Sequence, residues 1–338
     1  MKRLVFMVVV CVWALSLLAQ SDRKLYSIAF YNVENLFDTI PDPGKNDAEF
    51  RPYGDMQWNT QKYVAKLHNI ARVIGELGRI GDTDRGAAII GLAEVENRYV
   101  LQDLVRQPAI ADKDYRIVHY EGADRRGIDV ALLYDPSQFR LTRSYLVPSV
   151  PFNGDTVHLT RGFLVVEGQL AKSRVCVIVN HWPSRGAESP VRVWAAKQVK
   201  QLTDSIARAN HRTKIIVMGD LNDDPMDVSV AQEFGARKYM SEVTQTGEFY
   251  NPWWELLEDK GIGTLEYRGK WNLFDQILIS YSLLHGRGLK YVGCEAYRQE
   301  YLIQQDGQYK GSPLRTHGGR TWLNGYSDHL PTVIYLKR

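Results

Sequence analysis

Cysteine is scarce in this chain, with three in 338 residues. Cys11 lies inside an N-terminal apolar run, so only Cys176 and Cys294 belong to the body of the protein. Two cysteines so far apart exclude a CxxC-type metal site and a disulfide framework. Cys176 sits in the apolar stretch Val175-Cys-Val-Ile-Val179 and reads as core, so a bridge to Cys294 is not expected. Excess charge is equally sparse. Taking Lys2 and Arg3 away from the 42 basic residues leaves 40 against 39 acidic ones, a net charge of about +1. Such a chain is not held on nucleic acid by its overall field, and any attraction to a phosphate backbone must come from a local, salt-sensitive patch. An internal repeat, a low-complexity tract and a Pro/Ser-rich linker are also missing. There is no Gly-rich phosphate loop, no G-x-S-x-G elbow and no HExxH, which sets aside P-loop, serine-hydrolase and zincin chemistry.

What is present begins with a leader. Lys2 and Arg3 precede a run from Leu4 to Ala19 in which Ser16 is the only polar side chain. The run is shorter than the 18 or more residues expected of a spanning helix, and residues 1–20 read as a secretory signal peptide cut near Ala19 or Gln20. Cys11 follows Val10, where lipid attachment would need a small residue. The expectation is a secreted or periplasmic, monomeric protein of residues 21–338, with no stable membrane span after cleavage.

Hydrophobic residues at 44% and charged residues at 24% suffice for a packed core. Short apolar runs of strand length and β-branched or aromatic content recur at 25–31, 87–93, 130–134, 175–179, 215–218, 274–279 and 333–336. Helical stripes lie between some of them. Tyr63, Leu67, Ile70, Ile74 and Leu77 follow Thr60 as N-cap, and Val191, Trp194, Ala195, Val199, Leu202 and Ile206 follow Ser189-Pro190.

The polar residues at the ends of those strands carry the function. They are Asn32 and Glu34, Glu94 and Glu96, Asn180 and His181, and Asp220 and Asn222. Asp275 stands near the start of its run, and Ser327-Asp-His329 precedes the last one. Chemistry gathers at strand ends in layered α/β proteins. Six segments that feed one constellation from residue 32 to residue 329 argue for a single domain. Carboxylates and asparagines suit a hard cation such as Mg²⁺, and histidines suit proton transfer or hydrogen bonds to phosphate. Metal-assisted attack of water on a phosphoester needs these parts.

These residues resemble the endonuclease/exonuclease/phosphatase superfamily, which includes pancreatic-type deoxyribonucleases, abasic-site endonucleases, neutral sphingomyelinases and inositol polyphosphate 5-phosphatases. The landmarks are Phe30-Tyr-Asn-Val-Glu-Asn35, Gly91-Leu-Ala-Glu-Val95, Val179-Asn-His-Trp182, Met218-Gly-Asp-Leu-Asn222, Phe274-Asp-Gln-Ile277 and Ser327-Asp-His-Leu330, in family order. The resemblance implies an α/β fold, a two-sheet sandwich flanked by helices in four layers. It implies Glu94 as principal metal ligand supported by Asn32, with Asp328 near the metal. It further implies Asp220 as the residue that orients or deprotonates water, Asn222 and His329 on the phosphate, Asp275 paired with His329, and His181 as a second histidine. The cofactor implied is Mg²⁺ or Mn²⁺, and the reaction is one in-line displacement by water.

Ala93 departs from the family, which often has Gln there. Glu34 and Glu96 would share a strand face with Asn32 and Glu94 if the strands continued, as extra metal ligands or as caps. Asp129 is read either as the carboxylate that orients His181 or as a turn residue. Arg161 is read as a phosphate contact or as a structural arginine, and Asn180 as a supporting or substrate-facing amide. Trp182, Trp271 and Trp322 stand where bases would stack, and Arg125-Arg126 and the segment 315–320 are modest basic clusters. The leading expectation is a secreted nuclease acting on DNA or RNA. The alternatives are a phospholipid or sphingomyelin phosphodiesterase that docks through Asn251-Pro-Trp-Trp254, a small-molecule phosphatase, and a non-catalytic binding module.

Overall fold

The structure, a computed structural model, describes residues 24–79, 86–155 and 160–338. The signal peptide expected at residues 1–20 lies outside the described residues. Seven apolar runs seen in the sequence are strands, and each becomes part of one of two mixed sheets. The first sheet has the order β14-β17-β1-β2-β4-β3. Its strands are β1 (Leu25–Leu36), β2 (Ile89–Val95), β3 (Arg116–His119), β4 (Asp129–Tyr134), β14 (Lys290–Ala296) and β17 (Thr332–Lys337). The second has the order β5-β6-β7-β8-β13-β10-β9. It comprises β5 (Phe139–Val147), β6 (Phe163–Leu170), β7 (Ser173–His181), β8 (Lys214–Asp220), β9 (Ala236–Arg237), β10 (Phe249–Tyr250) and β13 (Asp275–Ser280). Two hairpins lie outside the sheets, β11 (Leu265–Tyr267) with β12 (Lys270–Asn272), and β15 (His317–Gly318) with β16 (Thr321–Trp322).

Alternation along each strand sends apolar side chains to both faces, which makes layers. Ile28, Phe30 and Ile334 of the first sheet meet Val177, Met218 and Ile277 of the second in a central core. The opposite face of the first sheet, with Tyr31, Leu92 and Leu133, is covered by α1 (Thr60–Glu76) and α2 (Arg98–Val105). The opposite face of the second, with Cys176, Ile178 and Val217, is covered by α3 (Ser189–Ala209). Helix, sheet, sheet and helix therefore form the expected four-layer sandwich around a single site. The sheets approach closely at Gly91, where a Cβ would collide with the Met218 sulfur. Cys176 and Cys294 are both free thiols. No helix among the described residues is long and apolar enough to cross a membrane.

Two local expectations are corrected. The cap of α1 is Asn59, whose side chain accepts from the Lys62 amide at 3.1 Å, one residue earlier than Thr60. The ends of β1 and β2 do not continue as regular strand, because Glu34 (φ 50°), Asn35 (φ 53°) and Glu94 (φ 64°) are left-handed and the register shifts there. Glu34 and Glu96 consequently do not stand in line with Asn32 and Glu94.

Candidate active site

The second sheet lines up half of the site through register alone. His181 on β7 pairs with Asp220 on the parallel β8, and Asp220 pairs with Asp275 on the antiparallel β13. Gly219 precedes Asp220 because its Cα lies against the Asn180 backbone and leaves no room for a Cβ. Left-handed Asn222 (φ 52°) then turns the chain so that its amide N–H donates to Asp220 Oδ1 at 2.9 Å and its Nδ2 to the Trp182 carbonyl at 3.0 Å.

The first sheet contributes from across the sandwich. Asn32 Nδ2 donates to Asp220 Oδ2 at 3.0 Å and lies 3.4 Å from Glu94 Oε1, so one amide joins the two sheets' carboxylates. The left-handed turn at Asn35 aims its N–H at Glu94 Oε2, 3.0 Å away, and Arg126 lies 3.8 Å from that oxygen. Ser327 Oγ donates to the Asn32 carbonyl and accepts from the His329 amide, which ties the loop before β17 to the end of β1. His329 is thereby delivered to Asp275, with Nδ1 2.7 Å from Oδ2, and its Nε2 lies 3.9 Å from Asp220 Oδ2. His181 Nε2 faces Asp220 at 3.6 Å and Glu94 at 3.9 Å.

Burial and charge separate the titrating groups. Burial pushes Asp220 up to about 7, His329 pulls it down and Asp275 raises it. Burial also pulls the His329 imidazole down, but the carboxylates of Asp275, Asp220 and Asp328 outweigh it and hold the imidazole well above its ordinary range. His181 goes the other way: burial, then the positive charges of Arg161, Arg126 and His329, keep it neutral. The result is a carboxylate near neutral titration between a protonated and a neutral imidazole, an arrangement suited to acid–base work.

The oxygen donors fit a hard divalent cation. Glu94 and Asp220 converge on the Asn32 amide, and the Glu94 side chain keeps some exposure to solvent. Asp220, Asp275 and His329 also form a compact acidic and imidazole group. His329 held protonated by Asp275 has no lone pair to give, so the Glu94 side is the better seat. Asp328 lies 3.8 Å from His329 Nε2 and 3.8 Å from Arg315 Nη2, at the rim of this centre.

Other sequence expectations are placed differently. Glu34 accepts from the Thr316 amide and hydroxyl, both at 2.8 Å, and lies 3.7 Å from the buried Lys66. Glu96 accepts from the Asp38 amide at 2.6 Å and lies 3.7 Å from Arg51. Asp129 does not orient His181; it lies 3.2 Å from His119 Nε2 and accepts from the Gly122 amide, and His181 Nδ1 has no hydrogen-bond partner among the described residues. Asn180 turns away from the centre and donates to the Ile178 and Met218 carbonyls, where it fastens β7 to β8. Arg161 is buried, 3.2 Å from Asp124 Oδ2. Trp182 is 1% exposed and cannot stack a base. Trp271 is stacked with Arg298 and Trp322 with Lys62. The supposed lipid-docking loop is pinned as well, since Trp253 is fully buried and donates to the Ile277 carbonyl. Arg320 of the basic segment is spent on Asp55 at 2.8 Å.

The sequence reading missed Thr264, whose hydroxyl donates to Asp275 Oδ2 at 2.5 Å. No motif marks it, because it arrives through the bridge between Leu265 and His329. It also passed over Asn35, which stood in the first landmark as its last residue.

A family model described as the Endonuclease/Exonuclease/phosphatase family matches residues 27–338. The chain belongs to that family. No curated protein matches the sequence. Among solved structures, ANGEL2, described as a 2',3'-cyclic phosphatase, is similar at 15% identity with a TM-score of 0.62, covering 94% of this chain and 96% of that one. A humanized D. rerio TDP2 is similar at 14% identity and a TM-score of 0.57, covering 92% and 98%. A family protein from Bacteroides thetaiotaomicron has 17% identity and a TM-score of 0.54, covering 94% and 98%. These likenesses bear on the fold, and family membership makes the chain a metal-dependent phosphoesterase of the endonuclease/exonuclease/phosphatase type.

Proposed function

We propose that the protein is a secreted or periplasmic, Mg²⁺- or Mn²⁺-dependent phosphodiesterase that hydrolyses nucleic acid as a monomer. The observation that carries the reading is the joining of Asp220 to both the His329–Asp275 pair and the Asn32–Glu94 pair. Glu94 and Asn32 would hold the cation, with Asp328 nearby, and when bound the cation offsets charge on the phosphoryl oxygens. Asp220 takes a proton from water as the water oxygen bonds to phosphorus and the ester P–O bond breaks, and the leaving oxygen departs as an alcohol protonated from solvent. Protonated His329 donates to a non-bridging oxygen, with Asp275 holding its ring. Asn222, set by the Trp182 carbonyl, and neutral His181 face the same phosphate.

The signal-like leader directs the enzyme to external substrates, which supports nucleic acid. A related fold, D. rerio TDP2, is described in complex with a single-strand DNA product. A second reading, a small phosphoester as substrate, is supported by the near-neutral charge of the chain and by the description of ANGEL2. Cleavage of supercoiled plasmid with Mg²⁺, Mn²⁺ or EDTA, beside His329→Ala, separates them. Cleavage stopped by EDTA and by the substitution supports the nuclease. Intact plasmid together with turnover of small phosphodiesters supports the second reading.

A further inference from the structure

Beside the catalytic centre lies a concavity of about 510 Å³, between the segment 149–152, the loop 183–187 and the first turns of α3. Arg126 and Arg161 line it at one end, and Arg126 is the guanidinium 3.8 Å from Glu94. The rest of the wall is largely apolar, with Val150, Phe152, Val191 and Trp194. Asp124 and Asp155 line it too and balance the two arginines, so the concavity offers guanidinium donors where it meets the site and aromatic surface where it leaves it.

The wall is set before any ligand arrives. Gln198 Oε1 accepts from the Val150 amide at 2.7 Å, and Trp194 Nε1, one helical turn earlier, donates to the Val150 carbonyl at 2.8 Å. Both ends of one residue are thus clamped to α3, and the next residues carry Phe152. Two buried polar atoms in the lining lack a partner among the described residues. Thr160 Oγ1 has none, and Arg161 Nε, although 3.2 Å from Asp124 Oδ2, makes no well-angled hydrogen bond. Buried donors left unmade in this way await a ligand atom or a water.

We propose that this concavity is the subsite for the nucleoside attached to the phosphate under attack, a proposal that rests on the phosphodiesterase reading. The phosphate oxygens meet Arg126 and Arg161 at the threshold, and the base lies against the wall formed by Phe152 and Trp194. A ligand with one anionic end and a flat apolar body matches both halves. The volume is in the range of small-ligand pockets, which suits a nucleoside and is too confined for a pair of acyl chains.

Calorimetric titration of the full chain in EDTA with AMP, adenosine and inorganic phosphate tests the subsite without turnover. AMP should bind more tightly than either fragment. Phe152→Ala should weaken AMP binding about tenfold through loss of a stacking face. Val191→Trp, which fills the concavity from α3, should abolish the advantage of AMP over phosphate. AMP binding no better than phosphate, or unaffected by both substitutions, would overturn the subsite even in a protein that cleaves plasmid. A protein that shows the AMP preference yet hydrolyses no phosphodiester keeps the nucleotide subsite and refutes the phosphodiesterase reading.

Discussion

His329 Nδ1 lies 2.7 Å from Asp275 Oδ2, and that contact joins the loop before the last strand of one sheet to the first residue of β13 in the other. The same carboxylate oxygen accepts from Thr264. Asp275 is fully buried, so its charge acts on His329 with little screening. Asp275 fixes the ring in position and leads the three carboxylates that keep it protonated.

Asp275→Asn retains the shape and removes the charge. The His329 imidazole should then titrate at lower pH, and turnover should fall by roughly 10² to 10⁴, the usual contribution of a positioned acid or base. Histidine NMR titration and kcat on a small phosphodiester measure the two effects. Unchanged His329 titration would mean that the pair does not set its protonation.

Asn32→Ala removes the amide that lies between Asp220 and Glu94. Metal affinity should drop roughly 10- to 100-fold, as when other partners of metal ligands are removed. Calorimetry with Mn²⁺ reads this directly, and an unaltered Mn²⁺ affinity would remove Asn32 from the metal centre.

Trp182 fills the core below the site and lies 3.4 Å, through Nε1, from Asn180 Oδ1. Trp182→Ala should cost about 3–5 kcal/mol of stability, the range for a large aromatic removed from a core. Urea unfolding measures it. A variant as stable as the parent but with a raised KM would restore the stacking role.

Burial, with Lys62 and Lys66 close by, pushes the His317 imidazole down to about 4. The unfolded chain binds this proton near pH 6.5, so between about pH 4 and 6.5 the unfolded state holds more protons than the folded one. The stability linked to His317 is complete above that window and is lost as pH falls through it. His317→Gln should flatten the decline in urea midpoint across the window, and an equally steep decline in the variant would contradict the assignment.

The strands of the two sheets' centres were legible because they are short, apolar and β-branched, as at Ile215–Met218 within β8. Strands such as β5 were not, since edge positions carry exposed Arg140 and Arg143 and break the apolar pattern. Site residues were legible where a motif held them, as with Asp220, His329 and Glu94. Strand-face reasoning failed at Glu34 and Glu96, because left-handed residues interrupt both strands and turn those side chains to Thr316 and Asp38. The partner of Asp129 depends on the pairing of β3 with β4, which places His119 within reach. Arg126 and Thr264 enter through loops whose paths no local pattern encodes.

The central claim is that Asp220 activates water at a phosphodiester held by this centre. A single turnover in ¹⁸O-labelled water, with enzyme in excess over a small phosphodiester and Mn²⁺ present, tests it most directly. The account predicts one labelled oxygen in the phosphate product of that first turnover, and no product from Asp220→Ala. Unlabelled product, which would mean that water does not attack phosphorus, or an active Asp220→Ala variant would contradict it.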